Sequence, residues 1–451
     1  VSTETSPSST TDHVYDAVIV GAGPSGSACA FWLASAGWDV AVVERKTFPR
    51  AKTCGDGLTP RSVRQLQDMG LEDKVAAVGH RYSGLRSCGF GQEVAMRWPD
   101  HPSFPSYGYA ITRFDLDGMV AERAVAAGAT LFTGVEAVDL VDLTPAAHDG
   151  QLASASGLVV KDKVSGTTSE LRGRLVVVAD GANSRIGRAL GTQRRREWPM
   201  GMAIRGYYES PASDDDFIES HLDIRDAEGN IVPGYGWIFP LGDGRINVGV
   251  GLLSTDRRWK GVNTTKLMDT FVNFVPDRWG ISPEAAQGSA TGGRLPMGFA
   301  VGPHTGSTTI CIGDASGSIN PFNGEGIAYG YETGRLAATS IAESLGGGGP
   351  EALAAYDARL TQAYGTYYDV ARAFVRLISE PKLMALCVGI GMRSETLMNE
   401  LLSLMANLMR PDERGPAEVA YRAMATLGKI LPDRALAALF NDNTATLSSV
   451  A

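Results

Sequence analysis

Several ingredients are scarce in this chain of 451 residues, and each shortage removes a class of function. Its 5 cysteines are odd in number, widely spread and without a C-x-x-C pair. They make no disulfide framework and fit a reducing compartment. The 6 histidines show no ligand spacing, so no metal site is expected. Positive charge is also short: 41 basic against 50 acidic residues leave a net charge of −9. That balance excludes a general nucleic-acid binder, which needs a basic excess to hold phosphates. No apolar run approaches a membrane span; the longest, Met384 to Met392, contains two glycines. Residues 1–13 are rich in Ser and Thr and lack the charged and apolar regions of a signal peptide, so they read as a disordered tail. A cytoplasmic protein is expected, able to lie on the inner face of the cell membrane.

What is present is organised around Val14 to Gly26. The run Val18-Ile19-Val20 has strand composition, three glycines follow as G-x-G-x-x-G (Gly21, Gly23, Gly26), and an Ala-rich helical segment, Ser27 to Ala36, comes next. Gly21 permits the turn, Gly23 lets backbone approach a pyrophosphate, and Gly26 lets helix pack on strand. Ala22, Pro24 and Ser25 line the helix start, where the free N–H groups, Pro24 having none, then face phosphate. The next strand, Val40 to Val43, ends in Glu44, eighteen residues past Gly26 and followed by Arg45. This is close to the spacing of about 20 expected for the acid that bonds ribose hydroxyls. A dinucleotide site follows from the two halves together.

A chain of this length requires two or three structural units. Buried strands end in Ala179-Asp180-Gly181 and in Gly313-Asp314-Ala315, and the loop Asn320 to Gly326 opens a helix at Ile327. A loop carrying Gly324 and Gly326 at a helix start is a ready phosphate cradle. These pieces place a nucleotide-binding unit at residues 14–79, 110–190 and 300–345. A β-rich second unit is interleaved at 80–109 and 191–299, leaving a cleft between the two. Gly346 to Pro350 reads as a linker, and residues 346–451 as a helical region. Apolar residues are dense there from Phe374 to Leu386 and from Leu397 to Met409, for packing on the second unit, for framing an entrance, or for gripping a bilayer interface. The triplet Arg194-Arg195-Arg196 reads as solvated surface.

The glycine fingerprint with Glu44, the Asp180 strand end and the Asp314 strand end occur in the order found in flavoproteins of the p-hydroxybenzoate hydroxylase fold, which the chain resembles. Two stretches narrow the likeness. Cys54-Gly55-Asp56-Gly57 resembles the loop beside the flavin ring in geranylgeranyl reductases. Tyr235-Gly236-Trp237-Ile238-Phe239-Pro240, with Asn247 to Gly251, resembles their Y-x-W-x-F-P…G-x-G motif. Length and the stretch Met392-Arg393-Ser394 resemble the actinobacterial branch, whose members reduce one isoprene unit of the menaquinone side chain. The resemblance implies an α/β protein with an FAD-binding Rossmann-like domain, a substrate domain and C-terminal helices. It implies FAD as cofactor, a prenyl-lipid substrate, a membrane surface as partner, and an electron donor that the sequence does not identify. It also implies that Asp314 holds the ribityl or pyrophosphate part of FAD and that Arg113 contacts the same cofactor.

An isolated prenyl double bond has no carbonyl to accept charge. Its reduction needs an acid on one face, flavin on the other, and a dry slot between. Tyr235, Trp237 and Phe239 alternate along one strand and so share a face, as a substrate slot requires. Cys54 is either a proton-delivering thiol or a small buried side chain in a turn. Asp56 either bonds the flavin edge or caps the helix starting near Thr59. Two other classes stay open. A flavin monooxygenase or halogenase would share the fold, although W-x-F-P stands here in place of the halogenase W-x-W-x-I-P. A prenyl-binding escort protein would share it too, but lacks an intact flavin site.

Overall fold

The computed structural model describes residues 13–253, 261–378 and 391–409, with positions 389, 415, 418, 419, 421–423, 425 and 426. Residues 1–12, and Leu383, Met384 and Leu386 of the apolar C-terminal stretch, lie outside the described residues.

Alternation along the first strand, Val14–Val20, divides the core. Ala17 and Ile19 pack among Ala28 and Leu33 of one helix, Leu116 and Val120 of another, and Ala328 of a third. Val18 and Val20 pack on the opposite face with Leu158, Val160 and Leu171. Val14–Val20 lies between Val40–Glu44 and Thr168–Val178, parallel to both. Thr130–Thr133 extends the sheet beyond Val40–Glu44, also in parallel. Besides Val14–Val20, the long strand Thr168–Val178 serves two further neighbours. Its first half pairs antiparallel with Gly157–Asp162, and its last three residues pair parallel with Thr309–Cys311. The Ala-rich helix expected from Ser27 starts earlier, at Pro24, because proline at a helix start loses no hydrogen bond.

A second seven-stranded sheet stands against the first unit. Its order is Ala286–Pro296, Met200–Glu209, Arg245–Leu253, Gly234–Pro240, Phe217–His221, Gly84–Gly89 and Gln92–Arg97. Residues 84–97 and 200–296 therefore share one sheet. Its core side carries Ile238, Val248 and Val250 against Leu267, Met268 and Phe271 of the helix Thr264–Phe274. Buried in that sheet, Glu219 accepts hydrogen bonds from Arg86, Arg278, His221 and Trp279. Burial alone would raise its pKa, but the bonds from His221, Arg278 and Arg86 hold it down to about 2. Cys88, Glu219 and His221 are close enough to hold a cation. Two guanidiniums already occupy the carboxylate and would repel one. A short three-stranded sheet of Gly57–Leu58, Gly108–Ala110 and His80–Tyr82 joins the units beside the Cys54 loop.

The run Gly346 to Pro350 connects the helix Ile327–Glu343 to the helix Gly349–Leu360, with the chain leaving helical geometry at Gly347 (φ +115°) and Gly349 (φ +60°). The apolar helices divide between two cores. Leu353, Tyr356, Leu360, Tyr367 and Tyr368 join the nucleotide-binding core, whereas Met398 and Leu402 of Glu395–Met405 pack with Met96 and Trp98 at the edge of the second sheet. Apolar density along a helix does not say which core receives it. No helix among the described residues is long and apolar enough to cross a membrane.

Arg61 locks these parts together. Its guanidinium meets Glu332 at 2.8 Å, donates to Asn407 O, and leaves Glu332 to accept from Tyr364 as well. Breaking a buried pair strands the remaining charge, at a cost of about 3–5 kcal/mol. Glu332→Ala is expected to lower the unfolding free energy by about that amount, read by urea denaturation followed by circular dichroism. Glu332→Gln, which still accepts from Tyr364, is expected to lose less.

Candidate active site

The strand Val14–Val20 delivers the chain into the glycine turn. Gly21 has φ +97°, and a Cβ there would lie 2.5 Å from Ala179 O. A Cβ on Gly26 would overlap Gly21 O. Both glycines are required by packing. Gly23 differs: its missing side chain faces open space, with only Arg50 Nη2 at 3.9 Å. It is the N-cap of the helix Pro24–Ser35 and supplies no side-chain cap, so the first N–H groups of that helix are free for a ligand. Ser25 packs beneath Gly313, which has φ +61° at the end of the strand Thr309–Cys311. Asp180 lies beside Gly21. Its Oδ2 accepts from Arg185 N and Ile186 N, while its Oδ1 is buried without a partner.

Glu44 closes this end. Its Oε2 accepts from Ala22 N at 3.2 Å and from Arg50 at 3.3 Å, and its Oε1 from Lys46 N. Arg45 beside it is exposed. Arg50 continues to Asp117 at 2.9 Å, and Asp117 holds Arg113 through two bonds of 2.5 and 2.7 Å. Arg113 is fully charged despite its burial, because Asp117 offsets the desolvation. Its charge also favours the ionised form of the nearby Cys54. Arg113, expected to contact cofactor, thus has a protein partner of its own in Asp117. Arg50 and Asp117 carry no motif, and nothing in the local sequence identifies them.

At the other end the Cys54 loop lies directly on the aromatic strand. A Cβ on Gly55 would sit 3.1 Å from Phe239 and 3.4 Å from Trp237, and one on Gly57 would sit 2.9 Å from Phe239. Tyr235, Trp237 and Phe239 form a ladder, with ring centroids 5.8 and 6.4 Å apart. Asn247, wholly buried, ties loop to ladder. Its Oδ1 accepts from Trp237 Nε1 at 3.0 Å, and its Nδ2 donates to Cys54 O at 2.9 Å and to Asp56 Oδ2 at 2.8 Å. Arg205 donates to the same Cys54 carbonyl, and Tyr207 to Asp56 Oδ2 at 2.6 Å.

Asp56 does not cap the helix Pro60–Asp68. At φ +66° its carboxylate turns to the second sheet, and Thr59 occupies the N-cap. Burial raises the Asp56 pKa against the bonds from Tyr207 and Asn247, and Oδ1 has no partner. Burial likewise raises the Cys54 pKa, with Arg113 opposing, so the group is a thiol at neutral pH. Asp314 is raised by burial and drawn back by the charges of Lys52 and Arg113.

The loop Asn320 to Gly326 forms the remaining wall. Tyr235 donates to Asn323 O at 2.6 Å, and a Cβ on Gly324 would lie 3.4 Å from the Tyr235 hydroxyl. A Cβ on Gly326 would lie 3.3 Å from Asp314 Oδ1, and buried Ile327 opens the following helix. Arg205, Tyr207 and the role of Asn247 escape sequence reasoning. Asn247 alone left a trace, as the one polar residue inside the apolar run Ile246 to Val250.

Comparison with known proteins fits this geometry. The FAD binding domain family matches residues 14–215. A menaquinone reductase of Mycobacterium tuberculosis is 41% identical over 423 residues, spanning 94% of this chain and 98% of that protein. This chain belongs to the menaquinone reductase family. A second member, from Mycolicibacterium smegmatis, is 40% identical over 88% of this chain and 93% of that one. A digeranylgeranylglycerophospholipid reductase of Methanopyrus kandleri is 30% identical over 81% of this chain and 87% of its own. Among solved structures, a geranylgeranyl bacteriochlorophyll reductase-like protein of Thermoplasma acidophilum matches with TM-score 0.71 and 19% identity, covering 93% of this chain and all of that one. The flavin-dependent brominase Bmp2 matches with TM-score 0.68 and 21% identity, again over 93% of this chain and all of that one, and shares the fold alone.

This family member is an FAD-dependent oxidoreductase, and its residues fit the cofactor. The open space at Gly23, the uncapped helix start, and the buried unpaired atoms Asp180 Oδ1 and Arg50 Nε lie together at one end. Gly23→Val is expected to fold normally by circular dichroism yet bind FAD at least about 100-fold more weakly, about 2.7 kcal/mol, and to purify colourless. Gly26→Ala is expected to lose the fold and the cofactor together.

Proposed function

We propose that this protein saturates one double bond in the isoprenoid side chain of menaquinone, at the bilayer surface facing the cytoplasm. The observation that carries the reading is the contact of the Cys54 loop with the Tyr235–Trp237–Phe239 ladder, which sets the thiol-bearing loop beside a row of aromatic rings; we read this as the wall of a prenyl slot. The identity of 41% across almost the whole of a menaquinone reductase supports the choice of substrate.

When bound and reduced, FAD supplies hydride chemistry at its ring. The protein must supply a proton, orient the alkene and exclude water. Glu44, Arg50, Asp180 and the free N–H groups at Ser25 and Gly26 would hold one end of the cofactor. Arg113, Asp314, Gly313 and the loop at Gly324 and Gly326 would hold the rest. Cys54, a thiol rather than a thiolate, keeps a proton to donate. Asn247 and Arg205 fix its carbonyl, so the thiol cannot drift from the slot. Trp237 and Tyr235 present π-faces that steady the positive character an alkene gains as it is protonated. Phe239 gives the chain an apolar wall. An apolar slot suits a prenyl chain, which offers no group to hydrogen-bond. The reductant that recharges the flavin is a separate partner, and the lipid substrate brings the protein to the membrane.

Mass spectrometry of quinones from cells with and without the gene tests the function. The expected result is that the gene adds H2 to the menaquinone side chain; an unchanged menaquinone overturns the reading. Cys54→Ala is expected to keep its yellow colour while saturation slows by about 100-fold or more, as for loss of a positioned proton donor. Full turnover in that variant removes Cys54 from proton delivery.

A further inference from the structure

A buried carboxyl at the edge of this slot has no part in the chemistry described so far. Glu325 belongs to the loop Asn320 to Gly326, immediately before the helix Ile327–Glu343. Its Oε1 accepts from Thr59 Oγ1 at 2.5 Å and Ser62 Oγ at 3.0 Å. Those hydroxyls sit at the N-cap and third residue of the helix Pro60–Asp68, which follows the Cys54 loop. The carboxyl thus bridges the N-terminal ends of two helices, one leading from each wall of the slot. Its Oε2 is buried and has no partner. An unpaired buried oxygen costs free energy unless it carries a proton or passes one.

The surroundings leave the group balanced between its two forms. Burial opposes the carboxylate, the two hydroxyls and Arg61 favour it, and Glu332 opposes it again, bringing its pKa to about 7. Tyr82, Tyr235 and Tyr329 all feel its charge. Tyr235 feels Cys54 as well, and its own pKa is pushed up to about 12 by burial. The Tyr235 hydroxyl is therefore neutral and is tied to the Glu325 loop itself, donating to Asn323 O at 2.6 Å and lying 3.4 Å from where a Cβ on Gly324 would stand.

We propose that Glu325 is the proton reservoir of the reduction, feeding the slot across the Tyr235 hydroxyl. The inference rests on the saturation of a prenyl double bond proposed above. One alkene carbon takes hydride, the other takes a proton from the Cys54 thiol, and the carboxyl of Glu325 returns a proton to the sulfur. Glu325 ends the turnover as a carboxylate and recovers its proton from water. A resting acid poised near neutrality delivers that proton without leaving a buried thiolate behind.

The test compares the FAD-loaded full-length protein with its Glu325→Gln variant across pH, using a menaquinone in detergent micelles. Wild-type saturation is expected to fall as pH rises through about 7. The variant is expected to be slower by about 10-fold to 100-fold and to lack that limb. Thermal unfolding gives a second readout. A carboxyl raised from 4.5 to about 7 in the fold binds more protons folded than unfolded. Wild type is therefore expected to lose stability relative to Glu325→Gln as pH rises across that window. A variant with wild-type rate and the same alkaline limb overturns the reservoir while leaving the function standing; a wild type that saturates no prenyl lipid overturns both. Should Glu325→Gln fail to fold, Thr59→Val with Ser62→Ala removes the two donors that favour the carboxylate. The limb is then expected to move to higher pH, and an unmoved limb overturns the proposal.

Discussion

One side-chain amide, that of Asn247, decides whether the two halves of this protein make a site. It is wholly buried and spends its amide on three partners: the Trp237 indole, the Cys54 carbonyl and the Asp56 carboxylate. Two of those partners come from a loop between the first unit's second strand and the helix Pro60–Asp68, and the third from the second sheet. A buried polar group left unmatched costs about 1–3 kcal/mol, so the loop and the strand fit each other in only one register. The glycines at 55 and 57 make that register reachable, since larger residues there would strike Phe239. Aromatic slot, thiol and acid are therefore consequences of one docking event.

A second chain of interactions runs the length of the cofactor site. Glu44 touches the glycine turn, Arg50 joins Glu44 to Asp117, and Asp117 holds Arg113, whose charge reaches Cys54. Charges this deeply buried survive only when paired. Their alternating signs run from the glycine turn toward the Cys54 loop. The arrangement leaves Asp314, Asp56 and Glu325 with pKa values pulled upward by burial, each beside the slot. Groups tuned toward protonation thus gather where the proposed reduction would consume a proton.

Much of this was legible in the chain because its physics is local. The turn at Gly21, the open space at Gly23 and the position of Glu44 follow from spacing along one strand, turn and helix. The shared face of Tyr235, Trp237 and Phe239 follows from the period of a strand. What escaped depends on distant partners. Asp56 has the sequence context of a helix cap, yet Tyr207 and Asn247, from strands far along the chain, draw it away. Arg50 and Asp117 are ordinary charged residues until folding places them between Glu44 and Arg113. The glycines after Ser344, with the composition of a linker, do break the helical path, at Gly347 and Gly349. The apolar C-terminal helices announced burial without announcing which core.

The central claim is that the aromatic slot receives a polyprenyl chain and that electrons held on bound FAD end in one of its carbon–carbon bonds. The direct measurement is an anaerobic single turnover: the FAD-loaded protein is photoreduced, mixed with menaquinone in micelles, and followed by flavin absorbance and by mass spectrometry of the lipid. The account predicts that oxidised-flavin absorbance returns in step with a side chain carrying one saturated isoprene unit, the quinone ring being unchanged after reoxidation. Flavin that stays reduced, or that reduces only the ring to the quinol, would contradict it.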